Sequence, residues 1–451
     1  MTTTSPLEAP RTLDDDAPRT LGLTDQLALW GNLGISLLLV VAATFVLAPD
    51  PSLPPLSLVA ALTAIVVGAV VGNVLLGLAA RAGAEVGAPA MVLVRGLLGR
   101  RGSTVPTVAN IAQNIGWAVV ELVVIAEAAS RLLDESLRPI VVIVAGLAAT
   151  AMALRPLGVV RVYLKRVAVW LVLTSSAYLL WHVARSPLPP LGEGSWSGFW
   201  KATDIVIALP ISWIPLAADY SRHSRTGRDA FLGASLGYGA ATLAFFVLGV
   251  LATASGEAGD DVIASLLAIP AGTIALLVLV VDELDEVFAN LYSTVISAQN
   301  IVPKLDRRVG VAITGAFATT IAFVVDDYVA YESFLFLLGS VFVPLFAAFA
   351  VDYYLFRRRT WDVSGDAPTR ALMFVPWIAG FVVYQLVNPG FVSWWAPLWI
   401  DLRDALGITV PSWASASILS FLTSAVIAAV VGGLSRPASP SAASTSSSLS
   451  S

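Results

Sequence analysis

The feature that most limits how this chain folds is a succession of long apolar blocks with almost no charge inside them, as in 57–80, 229–254 and 413–434. In water such blocks need a charged skin. The chain has little to offer: 57% of its 451 residues are hydrophobic and 13% are charged, where a soluble domain carries about 25%. Mean hydropathy is +0.81. A soluble enzyme and a nucleic-acid binder are excluded. The unbroken runs also exclude a transmembrane barrel, whose strands alternate with a period of two. The expectation is an all-α polytopic membrane protein, because a helix satisfies its own backbone polar groups in lipid.

At about 20 apolar residues per span, the sequence gives twelve candidate spans: 26–48, 57–80, 105–130, 138–156, 162–184, 202–221, 229–254, 269–299, 310–325, 329–356, 371–388 and 413–434. The eighth and tenth are longer than a span needs, so they tilt or run into a loop. Residues 389–412, with Trp394, Trp395 and Trp399, read as an interfacial connector. The tails, 1–24 and 436–451, read as disordered and lack a signal-peptide core. An even span count puts both termini on one side. Of the 26 Lys and Arg, 21 fall on that side and five (Arg131, Arg138, Arg185, Lys201 and Arg403) on the other. The bias assigns both termini to the cytoplasm and places the protein in the cell membrane.

Cysteine is absent, and the histidines are two, His182 and His223. Thiolate chemistry and a histidine-rich metal cluster are therefore not expected, nor is any cofactor. Two blocks carry interruptions at matching places. The first reads Trp30-Gly31-Asn32-Leu33-Gly34-Ile35-Ser36, and the sixth holds Pro210, Trp213 and Pro215. Glycines permit unwinding and proline removes an amide. Interrupted helices five spans apart point to an inverted-repeat transporter, with Asn32 and Gly34 facing a central cavity. Plain kinks are the alternative.

Polar residues at membrane depth sharpen the reading. Span three carries Asn110, Gln113, Asn114, Trp117 and Glu121 on one helical face. Glu121 sits among valines and leucines, where a lipid-facing carboxylate costs roughly 3 kcal/mol. An aromatic plane one turn from a carboxylate suits a flat heterocycle that stacks and donates N–H groups; an interhelical polar clamp is the other reading. Trp213 is a candidate second stacking face or a packing residue. Asp219 and Arg222 read as an ion pair at the end of span six. In span eight, Asp282, Asp285, Glu286 and Ala289 share a face within the run Asp282-Glu283-Leu284-Asp285-Glu286. Like charges this close favour binding a proton or cation, with Asp285 the first candidate and Asp282 and Glu286 beside it. The alternative is a solvated outer vestibule. Asp326 and Asp327 read as an outer loop.

In these stretches, and in Gly87-Ala88-Pro89-Ala90-Met91, Asn110 to Trp117, Asp219-Tyr220-Ser221-Arg222 and Asn290-Leu291-Tyr292-Ser293, the chain resembles the nucleobase–cation symporter family, the cytosine/purine permeases and their hydantoin and allantoin relatives. The resemblance implies a leucine-transporter-like fold. Residues 25–184 and 200–359 would form two inverted five-helix repeats, and 369–435 two further spans. It also implies base binding by Trp117, Glu121, Trp213 and Asn290. Sodium-coupled relatives carry Ser/Thr where this chain has Leu284 and Asp285, so Asp285 would ligate sodium or replace it with a proton.

The expected function is therefore secondary active import of a nucleobase or related heterocycle by proton or sodium symport, with alternating access. Partners are a small heterocyclic substrate and the lipid bilayer, with no nucleic acid, and the protein acts as a monomer. The alternative is a symporter for another small solute, such as hydroxymethylpyrimidine, allantoin or an amino acid. An enzyme lacks a nucleophile–base set here, and a channel lacks a filter.

Overall fold

Helices start in this chain where a side chain can cap exposed backbone amides. Ser36 Oγ accepts from Leu38 N–H at 3.1 Å, Ser57 Oγ from Ala60 N–H at 3.3 Å, and Thr226 Oγ1 from Asp229 N–H at 3.0 Å. The 29-residue helix from Leu58 ends at Gly87, whose left-handed torsion (φ 77°) closes the last turn. The computed structural model describes residues 8–50, 52–132, 134–255, 262–325, 331–358, 360–411 and 413–434. The expected tails 1–7 and 436–451, and Asp326 and Asp327, lie outside these.

The elements in order are α1 (Leu23–Asn32), α2 (Leu37–Leu47), α3 (Leu58–Val86), α4 (Ala90–Gly102), α5 (Thr104–Leu132), α6 (Arg138–Ala153), α7 (Pro156–Gly158), α8 (Val169–Val183), α9 (Phe199–Ser212), α10 (Ile214–Ser221), α11 (Gly227–Ala254), α12 (Val262–Ala268), α13 (Gly272–Asp282), α14 (Leu284–Ile301), α15 (Arg307–Ala322), α16 (Tyr331–Val351), α17 (Phe374–Val387), α18 (Ala396–Ala405) and α19 (Ala416–Leu434). π-Helical stretches join α7 to α8 and extend α16. No β-strand occurs among the described residues, only isolated bridges at Leu21–Ser224 and Leu56–Ser195. By length and composition six helices can cross a membrane, or eight if each bent pair is one span. Apolar blocks alone give twelve. The two counts differ because several blocks are built from shorter helices, among them α13 with α14, α1 with α2, and α17.

Span one is unwound, as expected. α1 and α2 are bent by 63° across Leu33 to Ser36, and Ser36 is extended (φ −143°, ψ 142°). Span six is not unwound. α9 and α10 run on as one continuous span, interrupted at Trp213, which keeps helical torsions (φ −84°, ψ −16°). The reason is that Pro215 lies in the first turn of α10, where a missing amide costs little. Span eight is interrupted in the same manner at Glu283.

Small residues set the packing. Gly72 of α3 lies against Pro210 of α9, and Gly83 against Ala218 of α10, so a side chain there would push the helices apart. α1 packs against α11, and α5 against α14. Outward faces carry Val66, Val70, Leu147, Ile313 and Val426, each at least half exposed, the apolar belt that lipid would cover.

Residues 8–22 differ from the disordered tail expected there. They form a strap across one end of the bundle. The buried Arg307 guanidinium donates to Pro10 O (3.0 Å), Ala9 O (3.2 Å), Ala153 O (3.0 Å) and Leu154 O (3.2 Å). Leu21 N–H donates to His223 O, and Arg225 N–H to Leu21 O. His223 Nδ1 lies 3.0 Å from Pro18 O; burial, then the Arg222 charge, pulls this imidazole well below the usual histidine range. A charged group donating to four carbonyls cannot be lost cheaply, since each buried group left orphaned costs about 1–3 kcal/mol. Arg307→Met should lower the thermal midpoint in detergent and make residues 8–20 cleavable in limited proteolysis. An unchanged midpoint with a protected strap would contradict this role.

Candidate functional site

The unwinding of span one leaves the amides at the start of α2 without intrahelical partners. A carboxylate from span eight fills that role: Glu283 Oε1 accepts from Leu37 N–H at 2.5 Å, and Ser36 Oγ donates to Glu283 Oε2 at 3.2 Å. An anion at a helix N-terminus is favoured by the amides and by the helix dipole. Glu283 thus joins the break in span one to the interruption in span eight.

Beside this joint lies a narrow buried cavity. Its lining includes Ser36, Trp117, Glu121, Trp213, Glu286 and Asn290, with Tyr238 of α11 and leucines of α2, α9 and α10 completing the walls. Glu121, Glu283 and Glu286 are all buried, and each offers a carboxylate oxygen within 4.8 Å of the others. Both Glu121 oxygens and Glu286 Oε1 are buried without a hydrogen-bond partner. Trp213 is braced from behind by Trp30 (ring centroids 6.2 Å apart, edge to face) and by Tyr238 (6.0 Å). Trp117 packs edge to face on Phe334 at 5.3 Å. Asn290 is oriented by its amide donating to Glu286 O at 3.0 Å.

Of the residues singled out from sequence, Trp117, Glu121, Trp213, Glu286 and Asn290 converge on this cavity. Gln113 does not line it: its amide donates to Asn110 Oδ1 at 2.6 Å, while Asn110 donates to Pro215 O (3.0 Å) and Ser297 Oγ (2.8 Å). The polar face of span three is therefore divided, one part a clamp on spans six and eight and the other a cavity wall. Asn32 donates to Ala28 O within α1, and Gly34 lies against Tyr238 and Ala241; neither lines the cavity. Asp282 and Asp285 are buried with no hydrogen-bond partner on any carboxylate oxygen, and they too lie outside the lining. Nor are Asp282, Glu283, Asp285 and Glu286 a solvated vestibule, since all four are buried. Asp219 does not carry the expected ion pair. Its Oδ1 accepts from Ala90 N–H at 2.9 Å, and Arg222 donates to the Tyr292 hydroxyl at 3.2 Å.

Glu283 and Tyr238 were not foreseen as site residues. Positions 283, 286 and 290 fall on one helical face, so the spacing held the signal for Glu283. The face expected from sequence held Asp282, Asp285, Glu286 and Ala289 instead. Nothing in the sequence of α11 marks Tyr238.

The family model "Permease for cytosine/purines, uracil, thiamine, allantoin" matches residues 16–370. No curated protein sequence matches. Among solved structures, Mhp1, a nucleobase-cation-symport-1 family transporter in a closed conformation with bromovinylhydantoin bound, aligns with TM-score 0.66 at 17% identity, over 95% of this chain and 94% of that one. Mhp1 in its inward-facing conformation aligns with TM-score 0.65 at 17% identity, over 96% and 93%. A mutant of the Eremococcus coleocola manganese transporter aligns with TM-score 0.55 at 13% identity, over 95% and 98%. At these identities the likeness establishes the fold.

The cap on α2 yields a test independent of transport. Glutamine keeps an acceptor for Leu37 N–H, so Glu283→Gln should stay within about 1 kcal/mol of the parent in thermal unfolding. Glu283→Leu leaves that amide orphaned and should cost on the order of 2 kcal/mol. Equal stability of the two variants would remove Glu283 from this role.

Proposed function

The chain belongs to the family of permeases for cytosine/purines, uracil, thiamine and allantoin, and we propose that it imports a nucleobase or related heterocycle by cation symport with alternating access. It is a transporter and not an enzyme. The observation that carries the proposal is the buried cavity set against the unwound part of span one, walled by Trp117 and Trp213 and edged by the unpartnered Glu121 carboxylate. Two aromatic planes offer stacking faces and the carboxylate an edge for N–H donors. The cavity lies within a single chain, which supports a monomer as the working unit. The charge bias supports cytoplasmic termini.

Cation coupling is supported by the density of buried acid around the cavity, because carboxyl groups in a poorly solvated place take up a proton or pair with a cation. Asp285 is the proposed coupling residue. It is fully buried, its carboxyl oxygens have no hydrogen-bond partner, and it stands between Glu283 and Glu286 in span eight but outside the cavity lining, so a proton or sodium ion bound there could be coupled to that helix without displacing substrate.

Purified protein in proteoliposomes should take up labelled cytosine, adenine or uracil saturably, and accumulation should collapse when the proton or sodium gradient is dissipated. Unsaturable uptake, or uptake indifferent to both gradients, would overturn the reading. Trp117→Phe or Trp213→Phe should weaken binding about fivefold, the roughly 1 kcal/mol of an aromatic contact, and alanine should weaken it more. Asp285→Asn should still exchange internal for external substrate but no longer concentrate it, because exchange needs only the loaded carrier to reorient. A mutant that still accumulates substrate against its gradient would exclude Asp285.

A further inference from the structure

The charge lining the cavity is one-sided. Its described lining residues include two carboxylates, Glu121 and Glu286, and no Lys, Arg or His. The third carboxylate of the cluster, Glu283, is engaged with Leu37 and Ser36. Glu121 is different: it has no exposed surface, both of its oxygens are unpartnered, and it forms part of the cavity wall. An acid in that position is stabilised by positive charge or N–H donors in the cavity.

The remaining walls point to the same chemistry. Trp117, Trp213 and Tyr238 contribute three aromatic side chains to one small space. Aromatic faces attract cations through the ring quadrupole, tryptophan most strongly, and more so where water is excluded. A flat delocalised cation satisfies both features, its faces against the rings and an N–H against the carboxyl group in a charge-assisted hydrogen bond. A carbonyl-edged ring would instead set oxygen against carboxyl oxygen, and an anionic ring would bring negative charge to a cluster of three acids.

We propose that the cavity selects a flat nitrogen heterocycle that presents positive charge or an amino N–H edge to Glu121 over carbonyl-edged and anionic rings. This rests on the reading of the cavity as the transport site and names the class of substrate it takes.

The test is direct binding to the purified full-length protein of four probes: 4-aminopyridine, which is a cation at neutral pH, cytosine, uracil and orotate. Each is also offered to proteoliposomes. The expected result is that 4-aminopyridine and cytosine bind at least tenfold more tightly than uracil, and that orotate does not bind. Glu121→Gln should bring 4-aminopyridine down to the level of uracil while leaving uracil binding in place. Uracil or orotate binding as tightly as 4-aminopyridine would overturn the proposal, and the cluster's positive charge would then come from the coupling ion alone. A preference that survives both Glu121→Gln and Glu286→Gln would overturn it as well. In either case the transporter reading would stand. If none of the four rings is bound or transported, the heterocycle site itself falls, and the proposal with it.

Discussion

The hydrogen bond from Leu37 N–H to Glu283 is the contact on which the rest of the site depends. Unwinding span one exposes amides at a depth where no water is available to satisfy them, and each unsatisfied group there costs several kcal/mol. Glu283 meets that need at 2.5 Å, and in doing so it fixes α2 against span eight. With those two elements held, Glu121 from span three and Glu286 from span eight are brought to the same place, and the cavity lies between them and the tryptophans. If the cap were absent, the unwound segment would have no reason to remain at that position.

The same device recurs elsewhere in the bundle. Asp204 of α9 accepts from Ala416 N–H (2.8 Å) and Ser415 Oγ (2.6 Å) at the start of α19, and Asp219 of α10 accepts from Ala90 N–H at the start of α4. Three buried acids thus hold three helix N-termini to neighbouring spans. They are explained by the helices they cap. Glu121, Asp282 and Asp285 cap nothing and have no hydrogen-bond partner. An acid retained in a membrane protein without structural compensation is a marker of substrate or ion handling, and the division between capping and uncompensated acids separates architecture from function here.

Much of this was legible in the sequence. The apolar blocks gave the all-helical membrane fold, and Gly31 and Gly34 gave the break in span one, because glycine is a local signal for unwinding. Trp117 and Glu121 were legible because an acid inside a valine-rich run admits few explanations. What was not legible depended on partners distant in sequence. Glu283 acts on an amide 246 residues away, and Gln113 is drawn away from the cavity by Asn110, whose own amide reaches spans six and eight. Pro215 signalled a break that the first turn of α10 absorbs. The strap at 8–22 has the composition of a loose tail, and the residues that hold it, Arg307, His223 and Arg225, all lie far along the sequence.

The most direct test of the account is a high-resolution structure of the protein with a transported heterocycle bound. The account predicts the ring between Trp117 and Trp213, its N–H edge within hydrogen-bond distance of Glu121 or Glu286, and Glu283 still accepting from Leu37. A ring bound away from both tryptophans, or a Glu283 carboxylate turned off α2 while substrate occupies the cavity, would contradict it.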